Sequence, residues 1–544
     1  MSSIASTAPE SDPAATLEAS PAATLEASPA ATLESDPAVN LEADPGGAPA
    51  LAAALGTETR IAHPIDVVIL AAGQGKRMHS PCPKVLHRLG GKVLIAHVLE
   101  SVAELAESDP QLPRFTQASP RLNAVHLVLG FAAEQVRQAI EASDLPKQLG
   151  ALRFHLQQEQ RGTGHALRQA VHALPSRGHT LVLFGDVPLI RASTLKLLIA
   201  ELGSEDATVV LTAEHAKPYG YGRIVRDPHG ELERIVEERD ATSDEKAIRE
   251  VSSGIMLLPN RHLERWLNAL SSDNAQAEYY LSDVVGFAHR DQLPLRACCI
   301  DDSDQIEGVN TLAQLIALER IFQRRLADEL LNQGVCVMDP ARIDVRGRLR
   351  CGRGVRIDVN CVFEGEVELG DGVSVGAHCV LIDSVIGEGT ELLAFTHCEG
   401  ARVGPGSRVG PYARLRPGTE LGSANQVGNF VEIKATRTGA HSKANHLTYL
   451  GDAVIGSRVN VGAGTITCNY DGANKHLTVI EDDAFIGSDT QLVAPVRVGT
   501  GATLGAGTTL TRDAPAGQLT VSRASQQSLA GWKRPRKPEA STDP

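Results

Sequence analysis

The sequence predicts two architectures in one chain, a mostly parallel α/β sheet followed by a parallel β-helix, behind a low-complexity tail. Three observations carry that expectation. Between Asp12 and Pro45 an octapeptide recurs as DPAATLEA, SPAATLEA, SPAATLES and DPAVNLEA. From Ile65 onward, short apolar runs alternate with helix-patterned segments. From Ile357 onward, an aliphatic or aromatic residue returns every six positions. With 544 residues the chain is long enough for two or more domains of ordinary size.

The tail comes first. Each octapeptide carries a proline that interrupts the helix which Ala, Leu and Glu would otherwise favour, and the repeat has too few large side chains to bury a core. Residues 1–59 are therefore expected to be a solvated, disordered extension. Lys and Arg number 52 and Asp and Glu 66, a net charge of −14, and nine of the acids precede Arg60 with no base among them. The body is near neutral and lacks the basic excess of a general nucleic-acid binder. No apolar run approaches the ~18–20 residues that span a bilayer, and the acidic start resembles neither a signal nor a transit peptide. A soluble, non-exported, cytoplasmic protein without membrane insertion is expected. Nine cysteines, at 82, 298, 299, 336, 351, 361, 379, 398 and 468, form no C-x-x-C pair. They are read as reduced thiols, most of them small apolar fillers.

The runs DVVILAAG, AVHLVLG, LVLFGD and ATVVLTA have the composition of buried strands of a parallel sheet, and the segments between them are long enough for crossover helices. In such sheets ligands gather at the carboxyl ends of the strands. Leu315, Leu318, Phe322, Leu326 and Leu330 recur at helical spacing before Gly334, which predicts a linking helix over 313–333. The six-residue period then runs through Ile357, Phe363, Leu369, Val375 and Leu381, through Val403, Val409, Leu415, Leu421, Val427 and Ile433, and through Ile480, Ile486, Leu492, Val498, Leu504 and Leu510. A six-residue rung makes one face of a coil whose stacked aliphatics fill the interior. The expected organisation is a tail at 1–59, an α/β domain at 60–312, the helix at 313–333, the β-helix at 334–525 and a second tail at 526–544. Two stretches break the period, KATRTGAHSKANHLTYLGDAV after Ile433 and CNYDGANKHLTV after Thr467. Both are expected to project as loops, where a solenoid places binding residues.

LAAGQGKRMHSPCPKVL puts Gly73 and Gly75 in a turn after a strand, with Lys76, Arg77 and Lys84 nearby. Backbone N–H groups of such a turn approach phosphate oxygens and the cations neutralise them. No G-K-[ST] follows, so this is not a Walker loop, and the spacing of a dinucleotide fold is absent. Asp186 in LVLFGDVPL stands just past a strand end, where a carboxylate either binds a hard cation such as Mg²⁺ or serves as a turn or cap. Together with QQEQRGTGHA, YGYGRI, IVEERDAT, AEYYLSD and EGVN, the LAAG, GxxRM and PKVL pieces resemble the signature of sugar-phosphate nucleotidyltransferases.

In the solenoid, GPYARLRPG, VGNFVEIK, KANHLTYLGD and NVGAGTITCNYDG add charged and polar residues that a purely structural coil does not need. With these, the resemblance narrows to the family of bifunctional N-acetylglucosamine-1-phosphate uridyltransferases and glucosamine-1-phosphate N-acetyltransferases of bacterial cell-envelope precursor synthesis, from about Ile65 to Trp532. It implies a Rossmann-like nucleotidyltransferase domain, a left-handed β-helix and a homotrimer. It implies that Leu70, Ala71, Ala72, Gly73 and Arg77 line the nucleotide site, that Lys84 contacts phosphates, and that Gln157, Gly162 and Thr163 take the uridine of UTP. Asp186 and Asn310 would hold Mg²⁺, and Gly222 and Glu237 would contact N-acetylglucosamine-1-phosphate. Where the family pattern has Asn-Thr-Gly, this chain has Ser252-Ser253-Gly254, which shortens the reach to the sugar.

For the second reaction the resemblance makes His446 the general base, with Glu432 orienting or polarising it. An imidazole, with a reference pKa near ~6.5, suits deprotonation of an amine before it attacks a thioester. Arg416, Lys434, Tyr449 and Asn460 would hold glucosamine-1-phosphate, and Ala463, Asn469, Tyr470, Ser488, Ala506 and Arg523 acetyl-CoA. The terminal Lys533, Arg534, Arg536 and Lys537 either attract phosphate or form a solvated basic tail. Two alternatives remain at this point: a monofunctional transferase whose solenoid only oligomerises, and a scaffold in which both sites have decayed.

Overall fold

The structure, a computed structural model, describes residues 64–106, 122–150, 152–203 and 206–535. The octapeptide tail, and Arg536 and Lys537 of the basic end, lie outside the described residues. Nine strands build the first sheet: β1 (Ile65–Ala71), β2 (Leu122–Leu129), β3 (Leu152–Leu156), β4 (His179–Phe184), β5 (Thr208–Glu214), β6 (Gly222–Arg226), β7 (Leu232–Val236), β8 (Glu250–Pro259) and β9 (Leu295–Ile300). The order across the sheet is β9-β5-β8-β4-β1-β2-β3, with the β6–β7 hairpin attached to β8. The four apolar runs identified in the sequence are β1, β2, β4 and β5. Every residue of β1 is buried, as a strand covered on both faces requires.

Strands β1 to β4 are parallel, so the loops after β1, β2, β3 and β4 open on one edge. Strand β8 runs antiparallel between β4 and β5, and its register shifts between Ser252 and Met256. Its Met256 pairs with Val182, so Ser252 and Ser253 overrun the end of β4 and reach that same edge. Neither the antiparallel insertion nor the hairpin is visible as a period in the sequence, because EVSSGIMLLP is polar at one end and continuously apolar at the other.

A helix over Leu312–Asn332 joins the two halves, with the Thr311 side chain accepting from Gln314 N–H at its start. Leu315 and Leu318 pack with Met78, Leu89 and Leu94 of the first half. Between two and three turns further on, Ala327 and Leu330 belong to the core of the β-helix. The junction is tight. Gly90 and Gly91 pass between the helix and the first long solenoid strand, and a Cβ would fall 2.1 Å from the Phe322 ring at Gly90 and 2.6 Å from the Arg346 backbone at Gly91. Positive φ at both positions adds a second reason for glycine.

The second half is a coil of parallel strands whose successive turns pair at 17- or 18-residue offsets, as in Glu391↔Arg408↔Gln426. All the six-residue positions named above are buried in one continuous cluster. One expectation fails here. The stretch after Ile433 is not a projecting loop: Glu432–Thr438, Lys443–His446 and Tyr449–Ile455 are strands that keep the 17-residue offset, as in Glu432↔Tyr449. Its buried side chains are Thr436, Ser442, Ala444, Thr448, Leu450 and Ala453, so the coil continues while its aliphatic signal thins to Leu450 alone. The stretch after Thr467 does project, widening the offset to 25 residues at Ile466↔Gln491. The cysteines also correct the expectation. All nine are free, but only Cys361, Cys379 and Cys398 are buried fillers, and Cys299 and Cys336 are exposed.

Candidate active sites

The first site lies on the carboxyl edge of the sheet. After β1 the chain makes a short 3₁₀ turn at Lys76–Met78 and another at Lys84–Leu86. Asp186 follows β4, and its carbonyl accepts from Val309 N–H at 2.9 Å, which brings Asn310 alongside. Lys84 Nζ donates to Asp186 Oδ2 and, at 3.3 Å, to Asn310 Oδ1. Arg77 donates to the same Asn310 oxygen at 3.0 Å. Two cations and two oxygen donors from distant parts of the chain thus meet. A carboxylate and an amide carbonyl are hard donors that fit Mg²⁺, which keeps waters and takes further ligands from phosphates. Among the described residues no group of three or more His, Cys, Asp or Glu forms a metal cage.

Beside this cluster opens a cavity of about 460 Å³. Of the expected residues, Arg77, Thr163, Asp186, Gly222, Glu237, Ser252 and Asn310 line it. Ser252 accepts from Gly254 N–H at 3.1 Å, so its hydroxyl is already partly engaged. Burial pushes the Glu237 carboxyl above the usual carboxylate range, and Ser282 Oγ donates to it at 2.7 Å. Asp283 is raised to about 6 by burial and by the neighbouring charges of Glu237 and Asp240. Leu70, Ala71 and Ala72 are buried and Gly73 is exposed, so the first three would meet a ligand only through their backbone. Gln157 and Gly162 stand outside the cavity wall, with Gln157 Nε2 3.2 Å from Gly162 O and 3.0 Å from His165 Nδ1. Ser282 and Tyr221 also line the cavity. Both stand in motifs recognised in the sequence, but their roles depend on buried partners from other elements: Glu237 for Ser282, and Glu307 for the Tyr221 hydroxyl.

The second site is built from coil register. Asn429 pairs with His446, and the offsets that follow bring Ala463, Ser488 and Ala506 to the same corner of successive turns. These five residues form an axial column about 19 Å long, four steps of ~4.8 Å. His446 is exposed, with Nδ1 3.3 Å from Asn429 Oδ1. Glu432 accepts from Arg416 at 2.8 Å, so the polar partner found on His446 is Asn429 rather than Glu432. Arg416 and Lys434 follow the paired residues Leu415 and Ile433 on adjacent turns. The projecting loop returns through a Tyr470↔Lys475 bridge and brings Lys475 beside Lys434, whose pKa falls below the usual lysine value chiefly for that reason. Lys475 carried no motif of its own; only the loop's return reveals it. Asn469 Nδ2 donates to Asp452, the Tyr470 hydroxyl donates to Gly472 O at 2.6 Å, and the Tyr449 hydroxyl lies against Gly451. Asn460 is half-buried on the column's approach strand, and Arg523 passes over Gly505 and Gly507 next to Ala506. Lys533 and Arg534 are exposed and outside any helix or strand.

Residues 67–253 match the MobA-like NTP transferase domain, and residues 477–512 match the bacterial transferase hexapeptide (six repeats). The chain is similar to the bifunctional protein GlmU of Azoarcus sp. (strain BH72), at 54% identity over 471 residues, 87% of this chain and 99% of that protein. It is similar to the proteins of the same name from Ralstonia nicotianae, at 55% identity over 87% of this chain and 98% of the relative, and from Bordetella petrii, at 56% over 87% and 99%. The similarity spans both halves and both sites.

Proposed function

The chain belongs to the family of bifunctional GlmU proteins, and from that premise we propose which of its residues perform each reaction. The enzyme transfers an acetyl group from acetyl-CoA to glucosamine-1-phosphate, then a uridyl group from UTP to N-acetylglucosamine-1-phosphate with release of pyrophosphate. A monofunctional transferase and a decayed scaffold are thereby set aside.

For uridyl transfer, Lys84 and Arg77 neutralise the phosphates, Gln157, Gly162 and Thr163 take the uracil, and Gly222, Glu237 and Ser252 face the sugar. Asp186 and Asn310 would hold Mg²⁺, which when bound supplies charge neutralisation at the phosphates. The sugar phosphate oxygen attacks the α-phosphorus and no protein nucleophile is needed, so the chain's contribution is alignment and electrostatic stabilisation. The observation that carries this assignment is the meeting of Asp186 and Asn310 on Lys84.

For acetyl transfer, Arg416, Lys434 and Lys475 form a cationic group for the phosphate of glucosamine-1-phosphate, with Tyr449 and Asn460 beside it. Asn429 Oδ1 as acceptor requires the hydrogen on His446 Nδ1, which leaves the Nε2 lone pair free to take a proton from the amine. Ala463, Ser488, Ala506 and Arg523 offer a line along the column for coenzyme A, with Asn469 and Tyr470 at the loop. A homotrimer in the cytoplasm completes the proposal. An exposed ladder of His378, Phe395, Tyr412 and Phe430, with ring centroids 4.8, 4.8 and 5.4 Å apart, runs beside the catalytic column and favours self-association.

Two substitutions test the division of labour. Asp186→Asn is expected to abolish uridyl transfer and spare acetyl transfer. His446→Ala is expected to lower acetyl transfer by roughly 10²- to 10⁴-fold, the usual contribution of a positioned base, and to spare uridyl transfer when N-acetylglucosamine-1-phosphate is supplied. Near-normal acetylation by a folded His446→Ala protein would remove His446 from the mechanism.

A further inference from the structure

One strip of chain, Tyr279–Ser282, holds both the loop assigned to uridine and the carboxylate assigned to the sugar. On the loop side, Tyr279 N–H donates to Arg161 O at 2.9 Å and Tyr279 O accepts from Gly164 N–H at 2.8 Å. Leu281 N–H donates to Thr163 Oγ1 at 3.0 Å. The contact leaves no room for a side chain at Gly162, where φ is +102° and a Cβ would fall 2.7 Å from Tyr279 O. The guanidinium groups of Arg161 and Arg168 each stand over the Tyr279 ring, 5.1 Å from its centroid, and Arg161 also donates to the Tyr279 hydroxyl at 3.4 Å. Arg168 is itself anchored on Leu267 O.

On the sugar side, the Tyr280 hydroxyl donates to Asp240 Oδ2 at 3.2 Å and Ser282 Oγ donates to Glu237 Oε1 at 2.7 Å. Thr163, Leu281, Ser282 and Glu237 then face one cavity. Tyr279 is not on that wall, so it acts on the cavity only through what it holds.

We propose that Tyr279 is a positioning residue for the loop Gln157–Thr163 and that the strip Tyr279–Ser282 couples nucleotide binding to sugar-phosphate binding. A nucleotide that orders the loop also orders the strip and the Glu237 carboxylate beyond it. The sugar phosphate then binds to a site whose ordering cost is already met, and the coupling is reciprocal by linkage. This rests on the uridine assignment made above.

The test is calorimetric titration of the full chain with Mg²⁺ and the non-cleavable α,β-methylene analogue of UTP, with and without N-acetylglucosamine-1-phosphate. In the unmodified protein each ligand is expected to tighten the other by about 5-fold or more, the lower range of typical coupling. Tyr279→Leu is expected to weaken the nucleotide and bring the coupling factor close to one. Tyr279→Phe keeps the ring under both guanidinium groups, losing only the long hydroxyl contact to Arg161, and is expected to restore most of both. Ser282→Ala is expected to weaken the sugar phosphate and the coupling while leaving the nucleotide alone unchanged, and it decides the matter if Tyr279→Leu does not fold. Unmodified coupling in folded Tyr279→Leu or Ser282→Ala protein, or no coupling in the unmodified protein, overturns the inference while the uridine assignment stands. Nucleotide binding that Gln157→Ala leaves untouched overturns the assignment itself.

Discussion

Asp283 carries a carboxyl raised to about 6 because it is buried near Glu237 and Asp240. Its folded pKa lies above the ordinary 3.8, so the folded chain binds the extra proton. Stability from this group is complete below pH ~4 and is lost as pH rises through about 6. Asp283→Asn is therefore expected to melt higher than the unmodified protein at pH 7.5, by about 1 kcal/mol after discounting for solvent screening, and to lose that advantage near pH 4. A melting series from pH 4 to 8 reads this directly. Ser252 makes the opposite kind of point. Its hydroxyl accepts from Gly254 N–H on the cavity wall, and Ser252→Asn, which restores the family residue, is expected to lower the KM for N-acetylglucosamine-1-phosphate or leave it alone. A new amide contact is worth roughly 0.5–1.5 kcal/mol. A sharp rise in KM with intact folding would weaken the sugar assignment. At this scale the sequence singled out residues whose chemistry is tied to a motif, such as Lys84, Asp186 and His446, and the structure brings the first two together. It assigned no role to Asn429, Lys475 or Ser282, whose partners come from other strands or from the far side of a loop.

The elements differ in how plainly their sequences declared them. Strand β1 and the aliphatic rungs did so because large apolar residues dominate the one and recur every sixth position in the other, although Asp66 of β1 and Ser384, Thr390, Ser407 and Thr419 of the coil are buried too. The turns from Lys434 to Val454 did not, since Thr436, Ser442 and Thr448 occupy the interior there, with the Thr436 hydroxyl donating to Lys434 O at 2.9 Å and the Thr448 hydroxyl to His446 O at 2.7 Å. Small polar residues with satisfied hydroxyls pack a coil without leaving an apolar period. The linking helix was legible from its leucines, but its most exacting residue was not among them. Gln323 is 2% exposed, and its amide donates to Val345 O and accepts from Val345 N–H, both at 2.8 Å, like an extra rung on the solenoid's first long strand. It also donates to Glu319, which accepts from Gly90 N–H at 2.7 Å. Gln323→Leu fits the volume but strands two buried backbone groups, and is expected to cost about 2–6 kcal/mol in chemical denaturation, from ~1–3 kcal/mol for each group left unpaired. A loss under 0.5 kcal/mol would mean that water reaches Val345.

For the whole molecule, the consequence of the coil is that its corners repeat, so anything placed at a corner forms a line. One line is the column from Asn429 to Ala506 proposed for acetyl transfer. The neighbouring line is apolar: Phe395, Tyr412, Phe430 and Leu447 are 45%, 49%, 56% and 63% exposed and stand on successive turns. Phe430 follows Asn429 and Leu447 follows His446 in the chain, so a second copy seated on the ladder would lie against the column that carries His446, the proposed base. Acetyl transfer should then depend on assembly, and uridyl transfer, built on the sheet edge in the other half, should not. Phe395→Glu puts a charge into the ladder between His378 and Tyr412, two turns before Phe430, and touches none of the residues assigned to either reaction. The expected result is a lower mass by light scattering and acetyl transfer reduced by about 10²-fold or more, the lower end of what losing a well-placed catalytic contact costs, with uridyl transfer kept. An unchanged mass with both activities intact would show that the ladder is not the contact between copies. A lower mass with full acetylation would show that one chain's column is complete by itself.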